Sequence, residues 1–585
     1  MKIEKKGKFV IFALLAAGLS FGAYKWKNRS IKVEELKTFG KISIPDAPES
    51  SLTGNAAVKM PLPGTKLTQK GDLLNINWDM MAWQSQNGAI LANGGSQTTE
   101  GSLMEQAGIN LTIKRQDNCM ISKAAMIQYC KDYKDGKTKD GYFVTYMASG
   151  TASFLTDMFN ATKELGPEYQ PVAWLTFGKS AGEDQVIGSS EIKANKKLLE
   201  GKVLRGVKLD GDIDMALKLC ADNDIKVNPD PKLYYYNALN LSYVSGDNGS
   251  YLTAVQDYNN NLGETRKIVV DGKTTKDTVV HYDLVATWTP GDVNAANGRG
   301  GATIISTKDY RWIMPNITIT SRKFLNDNRE KMKAIVIALA TAGDQIKSFA
   351  DIKKFTCGLG AKVWDEQDEA YWYKYYNGEK RNEFQLGGSA AFNLKDMAFV
   401  FGLDGTRDSY KDVYNTFGKL QTMYYKDEFP EYIPYEKAVD KSIMRDVYDL
   451  HKDDVGIGSF VKTDYSKTAT EVVGSKNWSI TFATGSAQIT STGILDELAE
   501  QVGSSEGLQI FVTGHTDNTG DPTQNNKLSL DRANAVVNYL VKKGIESERF
   551  KDVQGLGSSD PLPGLDPSSK AGRDKNRRVQ IVLKN

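Results

Sequence analysis

Near its C-terminal end the chain reads Gly514-His515-Thr516-Asp517-Asn518-Thr519-Gly520, and this turn constrains the fold more than any other stretch. It follows an apolar run, residues 508–514, that reads as a strand, and precedes an amphipathic run, residues 528–543, that reads as a helix. Asp517 ends the strand, and Arg532 sits fifteen residues on, near the start of the helix. One carboxylate and one guanidinium a short distance apart suit a zwitterion, which is recognised by paired opposite charges. An isolated pair of this kind would be an ordinary surface ion pair. Around the turn, residues 478–482 read as a strand, 490–502 as a helix opened by Thr and Ser, and 578–583 as a closing strand. The pattern is βαβαβ-like.

Further anchors surround the turn: Asn525, then Leu528-Ser529-Leu530-Asp531-Arg532-Ala533, then Asn576-Arg577-Arg578-Val579. Together these residues resemble the peptidoglycan-binding domain of the OmpA family, an α+β fold placed here at 474–585. The resemblance implies a cell-envelope protein whose partner is the peptidoglycan stem peptide. Diaminopimelate in that peptide carries a free ammonium and a free carboxylate. By resemblance, Asp517 takes the ammonium and Arg532 the carboxylate. Thr516, Asn518, Asn525, Leu528 and Arg577 match the rest of the pocket. His515 reads as a structural residue at the strand end rather than a catalyst.

A chain of 585 residues suits two or three domains. With 74 basic and 72 acidic residues the net charge is +2, and the basic residues are scattered, which speaks against nucleic acid. Cys119, Cys130, Cys220 and Cys357 form no CxxC pair. Cys119 and Cys130 bracket one expected helix, so their Cα atoms lie roughly 16 Å apart. That is beyond the roughly 7 Å that a disulfide spans. With three histidines, His281, His451 and His515, no metal site, cofactor or nucleophile–base pair is legible. No enzymatic activity is therefore expected.

At the other end, Lys2, Lys5, Lys6 and Lys8 precede an apolar run over residues 9–24. It reads as a retained inner-membrane helix, with a cleaved signal sequence as the alternative. Ala17 and Leu19 spoil the obvious cleavage sites, and Lys25, Trp26, Lys27 and Arg29 form an interfacial collar. The run holds no ionisable residue, so it does not conduct protons as a stator helix would. Residues 1–30 are thus the anchor. Residues 31–70, with Pro45, Pro48, Pro61 and Pro63, read as a semi-extended linker.

From Gly71 short apolar strands alternate with helices, at 73–78, 109–113 and 142–147, which implies a largely parallel sheet. Strands are also expected near 198–207 and 282–290, and a long helix over about 326–343. The order of these pieces resembles the type II periplasmic substrate-binding proteins that serve ABC transport of sulfonates, nitrate or thiamine precursors. The resemblance implies two lobes over 71–455, the second at about 198–290, and then a linker at 456–473. It puts a ligand between the lobes, at strand C-termini and helix N-termini. Trp78 and Trp83 are expected in the first connection. Ser149, Thr151 and Ser153 are expected in a turn that presents hydroxyls and N–H groups. Asp210 and Asp212 come from the second lobe, and Trp288 from the return crossover.

The acidic pair departs from relatives that bind simple anions, because a carboxylate repels an anion. Carboxylates with tryptophans suit a cationic or zwitterionic ligand. Two alternatives stay open. Asp212 is a helix cap, or Asp210, Asp212 and Asp214 begin a calcium loop that lacks its downstream Glu. The reading as a whole is a periplasmic solute-binding-like protein tethered to inner membrane and wall. The alternative is a structural or stator-like envelope component whose cleft is a protein-interaction module. A small-molecule ligand and a membrane-protein partner are implied but not named by the residues.

Overall fold

The computed structural model describes residues 52–244, 250–377, 379–381, 384–454, 458 and 463–585. The expected membrane helix at 9–24 and its collar lie outside the described residues. Among the described residues no helix is long and apolar enough to cross a membrane.

Two sheets build the body. The first has the strand order Ile109–Arg115, Leu74–Met80, Gly141–Met147, Asn316–Ser321, Pro171–Leu175. Its first three strands are parallel, and Asn316–Ser321 runs antiparallel to both neighbours. The strand GYFVTYM is buried along nearly its whole length, as expected where helices cover both faces. Helix Cys119–Lys134 is one of these covers, opened by Asn118, whose side chain accepts from the N–H of Met120 at 3.0 Å. All four cysteines are free. The second sheet has the order Ala302–Ser306, Gln185–Gly188, Leu284–Thr287, Val203–Val207, Ala238–Val244, Lys226–Asn228. It begins earlier and ends later than the span 198–290 expected for the second lobe. The chain crosses between the sheets twice, over 175–185 and 306–316. The crossovers are tied together where the Ser180 and Thr307 hydroxyls meet at 2.6 Å.

Three local expectations need correction. The single helix at 326–343 is two, Arg322–Asp327 and Arg329–Ser348, broken at Asn328. The first half of the described part of the expected linker, 52–70, lies along the second of these helices, and its second half runs beside residues 98–100, where Gly64 and Thr68 donate to the carbonyls of Glu100 and Thr98. Thr53 and Gly54 donate to the carbonyl of Lys347, Asn55 donates to Asp344, and Met60 donates to Gln345. The strand expected at 478–482 instead spans Val472–Trp478, so it begins two residues inside the range read as linker.

The C-terminal region forms a sheet in the order Val472–Trp478, Val579–Lys584, Gln509–Gly514, Phe550–Gly555, backed by helices Gly493–Gly503 and Pro522–Lys542. It packs against the body through helix Gly211–Asp222. At that helix's last turn, Lys218 Nζ lies 2.6 Å from Asp222 Oδ2 and 2.8 Å from Ser505 Oγ, with its side chain fully buried. Tyr310 donates to the same Asp222 oxygen at 2.7 Å, and Asn223 donates to the carbonyl of Val473 at 3.0 Å. Burial pulls the Lys218 ammonium below its ordinary range while Asp222 opposes the shift. Removing one member of a buried pair leaves an uncompensated charge, at a cost of about 3–5 kcal/mol. Lys218→Ala is therefore expected to lower unfolding stability by that amount in urea denaturation, whereas the exposed Lys137→Ala changes it little.

Candidate functional sites

The C-terminal site follows from register. Gln509–Gly514 runs antiparallel to Val579–Lys584 with Gly514 opposite Val579, which carries Asp517 past Arg577. The two side chains form an ion pair. Gly514 is required because a Cβ there would stand 2.1 Å from the carbonyl oxygen of Ser529, so strand and helix touch. Helix Pro522–Lys542 opens with Asp521, whose side chain accepts from the N–H of Gln524, and with Pro522 in its first turn. It starts earlier than the sequence suggests, so Asn525 lies on it and not on a loop. Asn525, Leu528 and Arg532 follow one another at helical spacing along one face.

Burial tends to raise the Asp517 carboxyl, but the Thr519 N–H at 2.9 Å and the Arg577 guanidinium hold it below its usual range. Arg532 is 7% exposed. Its Nε donates to the carbonyl of Ser486 at 3.0 Å, and its guanidinium lies 5.0 Å from the centre of the Phe482 ring. It makes no ion pair among the described residues. Burial and then the Arg577 charge lower its affinity for the proton, and Asp517 opposes them. Asn525 donates to the carbonyl of Thr519 at 3.0 Å, and Thr516 Oγ1 is buried with no partner. Leu528 is half-buried and Asn518 is exposed. Neither ring nitrogen of His515 has a hydrogen bond, and burial followed by the Arg578 charge pushes its pKa down to about 4. The ring is neutral at physiological pH. Sequence reading missed Phe482 and Ser486, because residues 478–482 were read as a strand rather than as the loop over Arg532.

The second candidate lies between the lobes. A void of about 10 Å³ is lined by Met81, Ala82, Trp83, Met147, Asp184 and Trp288. Trp83 is nine-tenths buried with its indole Nε1 unpartnered, and Trp288 stacks on Tyr251 with ring centres 4.2 Å apart. Trp78 is elsewhere and corrects the expectation. It is fully buried under the first sheet, donates to Thr145 at 2.8 Å and packs edge-on to Phe143 and Phe177, since the inward side of its strand faces the core. Two hydroxyls of the expected turn are also spent. Thr151 donates to the carbonyl of Ala148 at 2.7 Å and receives the Tyr410 hydroxyl, and Ser153 donates to the carbonyl of Gly150. Ser149 Oγ is buried with no partner.

Asp210, not Asp212, caps helix Gly211–Asp222, accepting from the N–H of Gly211 at 2.6 Å. Both oxygens of Asp212 are buried without hydrogen bonds. Asp212 feels the charges of Asp184, Asp210 and Asp292, and Asp184 in turn acts on Asp210, Asp292 and Glu183. Glu183, Asp184 and Asp292 were missed by sequence reading. Their one local signal is position, a Gly-Glu-Asp step just before a strand and an acid in the first turn of helix Gly291–Gly298. Burial raises all five carboxyls above their usual range, and the neighbouring carboxylates add to the rise in Asp212, Asp210, Glu183 and Asp292. For Asp292 the value reaches about 7, although Tyr375 at 2.5 Å and the Val293 N–H oppose the rise. None of the five forms an ion pair among the described residues, and no metal-holding group of His, Cys, Asp and Glu occurs among them. That speaks against the calcium-loop alternative.

Residues 481–577 match the OmpA family, so an OmpA domain lies at the C-terminus of this chain. The peptidoglycan-binding protein ArfA of Mycobacterium tuberculosis is 38% identical over 90 residues, which cover 15% of this chain and 27% of that protein. The chain therefore spans about a quarter of that relative's length. Among solved structures, the periplasmic nitrate-binding protein NrtA from Synechocystis PCC 6803 aligns over 66% of this chain and 90% of its own, at 10% identity and a TM-score of 0.42. A MotB-like protein from Desulfovibrio vulgaris aligns over 20% of this chain and 76% of its own, at 27% identity and a TM-score of 0.18.

A carboxyl with a raised pKa binds its proton more tightly in the folded state, so its contribution to stability is lost as pH rises from the ordinary carboxylate range through the raised value. For Asp292 that window runs from 3.8 to about 7. The neutral isostere Asp292→Asn does not titrate. Between about pH 5 and about pH 8 the wild type should lose roughly 2 kcal/mol more stability than this variant, measured by urea unfolding without added amines. Asp412 and Glu366, also pushed up to about 7, titrate in both proteins and cancel in the difference.

Proposed function

We propose that this is a cell-envelope binding protein that holds peptidoglycan with its OmpA domain and encloses a small ammonium-bearing molecule between its lobes. The wall-binding half rests on one observation above all. Arg532 is a nearly buried guanidinium with no ionic partner among the described residues, beside a carboxylate, Asp517, that stays ionised. That arrangement matches a group with one ammonium and one carboxylate, such as diaminopimelate, in which Asp517 receives the ammonium and Arg532 the carboxylate. Thr516, Asn518, Asn525, Leu528 and Arg577 complete the pocket. Arg577 already neutralises Asp517, so the incoming ammonium competes with it for that carboxylate.

The cleft half rests on Trp83, Trp288, Asp210 and Asp212, now joined by Asp184. Aromatic faces and unpaired carboxylates attract a cation and repel inorganic anions. The N-terminal run at 9–24 serves as the inner-membrane anchor in this reading, with the body in the periplasm and a membrane protein as the partner that receives the ligand. A structural or stator-like envelope component, with the cleft as a protein-interaction module, also accounts for the OmpA domain, but a void of about 10 Å³ that is closed mostly by buried side chains offers a protein partner little surface.

Asp517→Ala and Arg532→Ala are each expected to reduce retention on purified peptidoglycan by at least about tenfold, because each leaves one charge of the zwitterion unpaired. Sedimentation with the wall fraction reads this directly. Unchanged retention of both variants removes the wall assignment.

A further inference from the structure

A cavity of about 220 Å³ sits where the two crossovers meet helices Arg329–Ser348 and Ala350–Trp364. It shares no lining residue with the void in the cleft. Three lysines line it: Lys179 from the first crossover, Lys347 from the last turn of one helix and Lys353 from the first turn of the other. One carboxylate, Asp396, stands among them. The rest of the wall is largely apolar, with Trp312 from the second crossover, Ile346, Tyr376, Ala391 and Phe392.

Backbone pairing fixes where Lys179 stands. Its strand, Gly178–Ser180, pairs with Ser389–Ala391 so that Lys179 lies opposite Ala390, and its other edge bridges to Pro315. The side chain is half-buried. Its Nζ donates to the carbonyl of Arg311 at 2.5 Å and lies 3.6 Å from the centre of the Trp312 ring. Both contacts are neutral, so neither cancels the charge. Asp396 is engaged by Lys347 at 2.5 Å and by the N–H of Asn393 at 3.0 Å. Lys353 is buried and donates to Asn377 Oδ1 at 2.8 Å. Ammonium groups gathered around one cavity repel one another, and burial penalises each of them. Burial brings Lys179 down to about 7, with Asp396 opposing the fall and Arg311 and Lys347 adding to it.

We propose that this cavity is a second ligand site, separate from the cleft and from the wall-binding pocket, and that it takes a small monocarboxylic acid with an apolar body. The carboxylate lies against Lys179 and supplies the charge-assisted hydrogen bond that a carbonyl and a ring face do not. Lys353 adds to the same positive field. The body lies along Trp312, Tyr376 and Phe392. These rings are held in place: the Tyr376 hydroxyl accepts from the N–H of Ala391 at 2.8 Å, and Trp312 tilts onto Phe392 with ring centres 5.9 Å apart. An inorganic oxyanion would answer the lysine but leave the apolar wall in contact with water. The volume falls below the roughly 300–1,000 Å³ of pockets that hold drug-sized ligands, so the acid is small. Its occupant touches both crossovers, through Lys179 on the first and Trp312 on the second.

The test is isothermal titration of the full chain at about pH 6, below the Lys179 value, at matched ionic strength. The probes are benzoate and hexanoate, their neutral amides, and inorganic phosphate. One of the two acids should bind at least about tenfold tighter than its amide and than phosphate, the worth of one charge-assisted contact made beside an apolar wall. Lys179→Met should bring acid and amide together, and Lys353→Met should weaken the acid in the same direction. Thermal unfolding reveals a misfolded variant, and the comparison of acid with amide in the wild type needs neither substitution. Equal affinity for each acid and its amide overturns the anion site. Phosphate binding as tightly as the acids overturns the carboxylic-acid class in favour of an inorganic oxyanion. Unchanged acid affinity in both variants puts the acid elsewhere and overturns the cavity. If no probe binds, the site falls.

Discussion

Unpaired negative charge in a dry place is the constraint around which the body is organised. A carboxylate buried without a partner either takes up a proton or attracts a cation, because the charged form loses its hydration and gains little in return. Here Glu183, Asp184 and Asp212 are buried with carboxylate oxygens that have no hydrogen bond, beside Asp210 and Asp292, which accept from neutral donors only. The helix N-termini soften the penalty through their dipoles, by about 0.3–1 kcal/mol per charge, which is too little to offset it. The OmpA domain shows the complementary case, an arginine kept nearly buried on an aromatic ring with one backbone carbonyl for its Nε.

Much of this was legible in the chain because the deciding signals are local. The Asp517 turn and Arg532 stand on a strand end and a helix, and an alternating apolar pattern is enough to place both. Asp210 and Asp212 announce a helix start, and the helix forms there. What the pattern misassigned was the side of the chain each residue faces. Trp78 sits on a strand whose alternation puts it in the core, and a single tryptophan in a short apolar run does not reveal which face is covered. Thr151 and Ser153 satisfy carbonyls within their own turn, a local competition that composition does not disclose. Glu183, Asp184 and Asp292 were invisible for a different reason. They meet Asp212 only because two crossovers bring distant segments together, and no spacing in the sequence encodes that meeting.

Domain boundaries were hardest to read where a polar segment packs after all. Residues 52–70 look like a spacer, with two prolines and no sustained period, yet the N–H groups of Thr53, Gly54, Asn55 and Met60 find acceptors on helix Arg329–Ser348, and those of Gly64 and Thr68 on Glu100 and Thr98. The loop over Arg532 shows the converse. Residues 478–482 have strand composition, but the pairing ends at Trp478, which frees Phe482 to lie beneath a guanidinium.

Helix Gly211–Asp222 carries two of the cleft carboxylates in its first turn and the buried Lys218–Asp222 pair in its last. With about two turns of rigid backbone between Asp212 and Lys218, the OmpA domain is mortised to the lobe rather than hung from it. Under the proposed wall contact, a protein gripped through that domain acquires a heading as well as a place, and a tug on the wall arrives at Asp212 with little slack to absorb it.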